Sequence, residues 1–153
     1  MDLSGEFTVD APRDDVFKAL RDVGSFVRFI DGVSNLKEID PTHYEAAFET
    51  KVAYMKFKFA VKVEVTRIEE PSEIEAKIEG VPLGVVGRLV ARSVTRLTDA
   101  GDKTRVSYAV ESTLAGNLGS IGQPVLRAKA KEMERQFALR LCAAFLPVAP
   151  EVR

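Results

Sequence analysis

Apolar and polar side chains alternate from Asp2 to Asp10, with Leu3, Gly5, Phe7 and Val9 on one face and Asp2, Ser4, Glu6, Thr8 and Asp10 on the other. That period of two predicts a half-buried strand. Ala11-Pro12 stops it, and Pro12-Arg13-Asp14-Asp15 then offers a proline and an acidic first turn, ahead of an apolar stripe of Val16, Phe17 and Leu20. A helix starts there. Residues Ser25 to Ile30 predict a short second helix, ended by Asp31-Gly32.

From Val33 to Ala115 the pattern is that of strands, broken at Asp40-Pro41-Thr42, Ala53-Tyr54, Glu70-Pro71-Ser72, Pro82-Leu83-Gly84 and Asp99-Ala100-Gly101-Asp102. Five turns predict six strands. Folding the chain at each turn tests the assignment, because a slip of one residue would send the apolar set outward. The first fold places Phe48 opposite Phe59, Ala46 opposite Val61 and Tyr44 opposite Val63. Folding at Pro82-Leu83-Gly84 places Ile78 opposite Leu89 and Ala76 opposite Ala91, with Glu79 across from Arg88 and Glu75 across from Arg92 on the other face. The last hairpin pairs Thr95 with Val106, Ser93 with Tyr108 and Ala91 with Val110. Consecutive hairpins share one apolar face, as a strongly curved antiparallel meander requires.

A long helix is expected within Asn117 to Phe145, its stripe being Leu118, Ile121, Val125, Met133, Phe137, Leu141 and Phe145. Pro124 costs about 3 kcal/mol inside a helix, so a break or a fresh start falls there. The elements together predict an α+β fold in which a sheet grips a helix. A seven-stranded curved antiparallel sheet wraps a long C-terminal helix, and two short helices lie between strands one and two. One domain over residues 1–146 and a flexible tail over 147–153 complete the organisation.

Composition narrows the chemistry. The 153 residues suffice for a core without staples, and 22 basic against 23 acidic groups leave a net charge of -1, too little to recruit nucleic acid or anionic lipid by overall field. Residues 1 to 50 carry 5 basic and 11 acidic groups, so the first third is acidic and the remainder mildly basic. One His (His43), one Cys (Cys142) and no Trp leave no zinc site built on Cys and His, no Fe–S site and no intrachain disulfide. No metal and no cofactor are expected. The lone thiol fits a reducing compartment, the start lacks the regions of a signal peptide, and no apolar run reaches the length of a membrane span, so the chain reads as cytoplasmic.

The chain also resembles a known family. Leu3-x-Gly5-x-Phe7-x-Val9-x-Ala11-Pro12-x-x-x-Val16-Phe17, Ile30-Asp31-Gly32-Val33, Gly101-x-x-Thr104-Arg105-Val106-x-Tyr108, and Gly116-x-Leu118-x-x-Ile121-Gly122 leading to Lys131 and Phe137 carry the resemblance. In their order and spacing they are similar to the CoxG family of carbon monoxide dehydrogenase subunits, within the START-like SRPBCC superfamily of helix-grip folds. Family members usually read Ile-Pro-Gly where this chain has Ile30-Asp31-Gly32. The resemblance implies an apolar cavity between sheet and helix that holds a lipophilic molecule. It also implies service to a molybdenum-hydroxylase-type dehydrogenase, peripheral at the inner face of the cytoplasmic membrane.

Candidate ligand-binding residues on the inward face are Phe29, Phe48, Phe57, Phe59, Leu89 and Tyr108, joined from the long helix by Met133, Phe137 and Leu141. The same positions would be core in any fold. Thr50, Ser93, Thr95 and Ser112 also face inward, to orient a ligand's polar end or to satisfy themselves on backbone and water. Two stretches that should be polar turns are apolar: Tyr54-Met55 and Val81-Pro82-Leu83-Gly84-Val85-Val86. Together with Phe26 and Phe29 they would form an entrance rim touching a membrane or partner, unless Leu83 and Val85 fold back as a plug.

Catalysis is hard to place. His43 sits in a turn, and Glu45, Glu49, Glu64, Glu75, Glu79 and Glu111 all fall on outward faces, so no inward general base is found. Lys56, Lys58, Lys62, Arg88, Arg92 and Arg96 are interleaved with acids and lack outward aromatics, which argues against nucleic acid. Arg127, Lys129, Lys131, Arg135 and Arg140 against Glu132 and Glu134 leave the long helix locally basic. The expectation is a non-enzymatic binding protein for a quinone- or lipid-like molecule, accessory to a dehydrogenase. The alternatives are a polyketide cyclase or hydrolase-like enzyme and an assembly adaptor with no ligand.

Overall fold

A computed structural model of the chain describes residues 1–52 and 54–145. The expected tail at 147–153, the last residue of the expected domain and the turn residue Ala53 lie outside the described residues.

The first strand, β1 (Asp2–Val9), has the expected faces: Leu3, Gly5, Phe7 and Val9 are covered and their neighbours exposed. Helix α1 (Arg13–Arg21) follows Pro12 and buries Val16, Phe17 and Leu20. The second helix differs from the expected Ser25–Ile30. A single α-helical turn, α2 (Val23–Phe26), leads directly into a 3-10 turn at Val27–Phe29. The cause is the cap, since the Asp22 carboxylate accepts from Gly24 N–H at 3.0 Å and starts the turn two residues early. Gly32 follows at φ +91, a conformation only glycine adopts freely. Beside it the Arg140 guanidinium grips the Asp31 carboxylate with two hydrogen bonds of 2.7 and 2.8 Å.

Six further strands form the meander: β2 (Val33–Asp40), β3 (His43–Val52), β4 (Met55–Glu69), β5 (Glu73–Pro82), β6 (Gly87–Ala100) and β7 (Lys103–Gly116). With β1 they make one antiparallel sheet in the order β1-β7-β6-β5-β4-β3-β2. The β3–β4 register is as expected, with Phe48 opposite Phe59 and Tyr44 opposite Val63.

The β5–β6 and β6–β7 hairpins are displaced by two residues from the expected pairing. Ile78 faces Ala91 and Gly80 faces Leu89, while Leu97 faces Val106 and Thr95 faces Tyr108. Turn length explains both. The β5–β6 connection runs over Leu83 to Val86 with Gly84 at φ +78, and the β6–β7 turn is Gly101-Asp102 with Gly101 at φ +80. A shift of two keeps every side chain on its face, so Arg88 still meets Glu79 at 2.9 Å, now diagonally. Register breaks in β2 and between Val65 and Arg67 of β4 help curve the sheet.

After a 3-10 turn at Asn117–Ser120, α3 (Gln123–Ala144) begins with Pro124 in its first turn, the fresh start that proline demands. Val125 is not on the buried stripe, being 39% exposed, and Leu126 takes its place. Steps of four residues drift by about 40° each on a helix of 3.6 residues per turn, so Val125 lies far round from Phe137 and Leu141. The backbone of α3 approaches chiefly β1, β3 and the Val27–Phe29 turn, rather than the central strands of the sheet. Among the described residues no helix is long and apolar enough to cross a membrane.

Candidate ligand-binding interior

Two apolar clusters occupy the two ends of the space between α3 and the sheet. One joins Val9, Phe17, Leu20, Leu97, Val106 and Leu141 with Phe29, and Phe26 and Phe137 pack against it. Phe29 meets Phe137 edge-on at 5.7 Å between ring centres, and Phe26 meets it at 5.2 Å. The other gathers Val52, Phe57, Phe59 and Leu118, with Phe48, Leu89, Ile121 and Leu126 against them. Phe59 stacks on Phe48 at 6.2 Å and on Phe57 at 6.1 Å. Of the nine expected lining residues, four therefore meet at the end of the β3–β4 hairpin and three near the C-terminal end of α3.

Tyr108 and Met133 belong to neither cluster. Met133 and Phe137 are half-buried on α3, and Phe48, Leu89 and Tyr108 are half-buried on the inward face of the sheet. The half-buried Phe48, Leu89 and Tyr108 leave part of the inward face of the sheet uncovered by the helix.

Between the clusters stands a polar pair that the reading of inward residues does not anticipate. The Tyr108 hydroxyl donates to Glu134 Oε2 at 2.7 Å, linking β7 to α3. Gly5 makes this reach feasible, because Gly5 and Tyr108 are direct cross-strand partners and a Cβ on Gly5 would lie 2.5 Å from the hydroxyl oxygen. Phe7 flanks the ring at 6.3 Å. The other carboxylate oxygen, Oε1, is buried and accepts no hydrogen bond. Leaving such an acceptor unmade costs about 1–3 kcal/mol. Burial first, then the hydrogen bond to Glu134 and its negative charge, push the Tyr108 phenol well above its ordinary range.

The expectation that no carboxylate faces inward is thus corrected. Glu134 counts as one more charge in a basic helix if only composition is considered. Three residues from Phe137 puts it only about 60° from the centre of the apolar stripe, and that offset is the signal that could have found it.

At the hairpin end, a cleft of about 600 Å3 opens between β3 and the first half of α3, lined by Lys51, Val52, Pro124, Val125, Ala128, Lys129 and Glu132. Nearby hairpin tips carry apolar side chains into solvent: Tyr54 is 101% exposed, Met55 52%, Leu83 56% and Val86 77%. Leu83 therefore forms no plug, whereas Val85 is half-buried. Phe26 does not join this rim, because it sits half-buried against Phe137 in the other cluster.

The remaining candidates are peripheral. His43 lies exposed on the outer side, its Nδ1 2.9 Å from Asp40 and 3.0 Å from Thr42 Oγ1. Its other ring nitrogen, Nε2, lies 3.8 Å from Glu64 Oε2, so the imidazole sits between two exposed carboxylates. The Asp40 hydrogen bond raises the His43 pKa above its ordinary 6.5 and lowers that of Asp40 to about 2. A smaller cleft of about 370 Å3 there is lined by Asp40, His43, Tyr44, Lys62, Glu64 and Glu79 among others. Ser112 donates to the Met1 carbonyl at 3.1 Å, the self-satisfying alternative for an inward hydroxyl. Cys142 points its Sγ at the Thr8 carbonyl, and burial pushes its thiol up, away from the reactive thiolate. Among the described residues no three His, Cys, Asp or Glu side chains gather as a metal ion would need.

A seven-stranded antiparallel sheet curved round a closing helix, with short helices after its first strand and aromatics lining the inner face, defines a START-like helix-grip protein. Solved structures share this fold. A conserved protein from Geobacillus kaustophilus superposes with a TM-score of 0.86 at 23% identity, over 94% of each chain. A START superfamily protein from Mycobacterium smegmatis gives 0.72 at 12% identity, over 94% of this chain and 95% of that one. The Zhui aromatase/cyclase from Streptomyces sp. R1128 gives 0.69 at 13% identity, over 94% and 92%. The chain belongs to the CoxG family of carbon monoxide dehydrogenase subunits, whose model matches residues 5–143. No curated protein matches it.

Proposed function

We propose that this chain is a non-enzymatic binding protein that holds a lipophilic small molecule, quinone- or lipid-like, between α3 and the concave face of the sheet. The observation that carries this reading is the half-buried state of Phe48, Leu89 and Tyr108 on the inward face of the sheet, where α3 approaches chiefly β1, β3 and the Val27–Phe29 turn. Apolar surface of this kind gains about 25 cal/mol for each Å2 a ligand covers. The cleft beside Val52 and Ala128 is the entrance, and the exposed Tyr54, Met55, Leu83 and Val86 are the surface that meets a membrane or a partner as the ligand crosses. Family membership supports a role as accessory or carrier to a carbon monoxide dehydrogenase-type molybdenum hydroxylase at the inner face of the cytoplasmic membrane.

Native mass spectrometry of freshly purified protein tests the reading. The expected result is an added mass that organic extraction removes and that a lipophilic probe restores. Protein of bare mass that also fails to take up such a probe would overturn it, and would favour an assembly adaptor.

A second reading draws on Tyr108 and Glu134. A carboxylate and a phenol hydrogen-bonded in apolar surroundings are the groups an acid–base enzyme needs, and an aromatase/cyclase shares the fold. In a screen of aromatic and polyketide-like substrates, an enzyme would lose about 100-fold or more in kcat on Glu134→Gln. A binding protein would show no turnover to lose.

A further inference from the structure

The unmade hydrogen bond in the interior points to the kind of molecule that completes it. Tyr108 uses Oε2 of Glu134, and Oε1 has no donor and is closed off from solvent. Glu134 forms no ion pair among the described residues. A strut from α3 to β7 needs one acceptor oxygen, and a glutamine would serve. A full carboxylate leaves a second oxygen with nothing to do.

The pair also stands where a ligand would be oriented, between the two aromatic clusters and seated over Gly5. Rotation about the last side-chain torsion of Glu is soft, so Oε1 turns toward an arriving donor without moving α3. A carboxylate accepts and cannot donate.

We propose that Glu134 is the polar anchor of the interior and selects apolar molecules that carry one hydrogen-bond donor, a phenolic or alcoholic hydroxyl, over molecules that carry only carbonyl or ether oxygens. The inference rests on the interior being a ligand site. Within a quinone couple it favours the reduced, hydroxyl-bearing form, and it disfavours fatty acids, whose own carboxylate would face Glu134.

The test compares 4-pentylphenol with 4-pentylanisole by isothermal titration calorimetry. The two share an apolar body and differ in the donor. Burying a hydroxyl without a partner is unfavourable, so an interior without an anchor binds the anisole more tightly. With Glu134 as anchor, the phenol binds the unaltered protein about tenfold or more tightly than the anisole. On Glu134→Leu the order inverts or the two come within about threefold of each other. Tyr108→Phe, which frees Oε2 as well, keeps the preference for the phenol. Glu134→Gln gives a second variant of native size, in which the preference falls, so the measurement stands if the leucine variant melts early. Equal affinities in the unaltered protein, or a phenol preference that survives Glu134→Leu, overturn the anchor while leaving the binding interior intact. Failure of both compounds to bind the unaltered protein overturns the ligand site itself.

Discussion

Replacing Gly5 by Ala adds one methyl group at the position where β1, β7 and α3 converge. Its Cβ would stand 2.5 Å from the Tyr108 hydroxyl oxygen and 2.9 Å from the ring carbon that bears it. Carbon–oxygen contacts that short are not tolerated, so the ring has to swing by roughly an ångström, comparable to the adjustment that overpacking forces on a filled core at about 1–3 kcal/mol. The same swing stretches the 2.7 Å hydrogen bond to Glu134, and a bond to a charged acceptor contributes about 1.5–3 kcal/mol. Against this, Ala removes backbone freedom from the unfolded chain, a gain of about 0.4–1 kcal/mol. The net expectation is a loss of about 2–4 kcal/mol, or about 5–15 °C in Tm for a chain of this size.

Urea denaturation followed by far-UV circular dichroism measures that loss, and a double-mutant cycle assigns it. In a Tyr108→Ala background the obstruction is gone, so Gly5→Ala should become neutral or slightly stabilising. The coupling energy should then approach the whole single-mutant effect. A cost below about 0.5 kcal/mol in the native background, the size of an ordinary surface change, would refute the reasoning. So would a cost that persists unchanged without the tyrosine ring.

Other consequences follow from single sites. The His43 pKa is raised by Asp40, so the interaction contributes fully below the ordinary His pKa of 6.5 and is lost as pH rises through the folded value; NMR titration should give a midpoint above 6.5 that Asp40→Asn lowers. Asp40, lowered to about 2, contributes above its ordinary 3.8, and that share is lost as pH falls toward 2. Leu83→Asp, at a side chain 56% exposed, should move Tm by no more than about 1–2 °C while reducing association with vesicles or a dehydrogenase partner; a sharp fall in Tm would place Leu83 in the core instead. Leu89→Trp should weaken binding of a lipophilic probe with the fold retained, and unchanged affinity would remove Leu89 from the ligand's path.

Alternation between covered and exposed positions made the sheet legible, since β1 and the β3–β4 hairpin follow from period two alone. Registers further along were harder, because two hairpins differ only in how many residues their glycine-containing turns consume. Gly84 and Gly101 take positive φ for reasons of local geometry that apolar pattern does not carry. On α3 the stripe was read in steps of four, which lost Val125 to helical drift, and counting charges hid Glu134. Gly5 and Glu134 acquire meaning only through Tyr108, and that three-way meeting depends on the pairing of β1 with β7 and the placement of α3, neither of which a hairpin fold at a turn supplies. Which loops stay exposed was partly visible, as Tyr54 and Leu83 show, but the burial of Phe26 required knowing where Phe137 lies.

The ion pair between Asp31 and Arg140 stands where the family resemblance leads one to expect proline. Proline would stiffen that bend through its ring, independently of the medium. Here the bend before β2 is tied to α3 by two exposed charges, and their attraction has a range of about 10 Å in 0.1 M salt but only about 3 Å in 1 M. The tether between the edge of the sheet and the closing helix is therefore tuned by electrolyte. In dilute buffer the helix is held down at this corner. In concentrated salt the segment from Ile30 to Gly32 should exchange its amide hydrogens faster than in dilute buffer, a dependence that a proline ring would not bring.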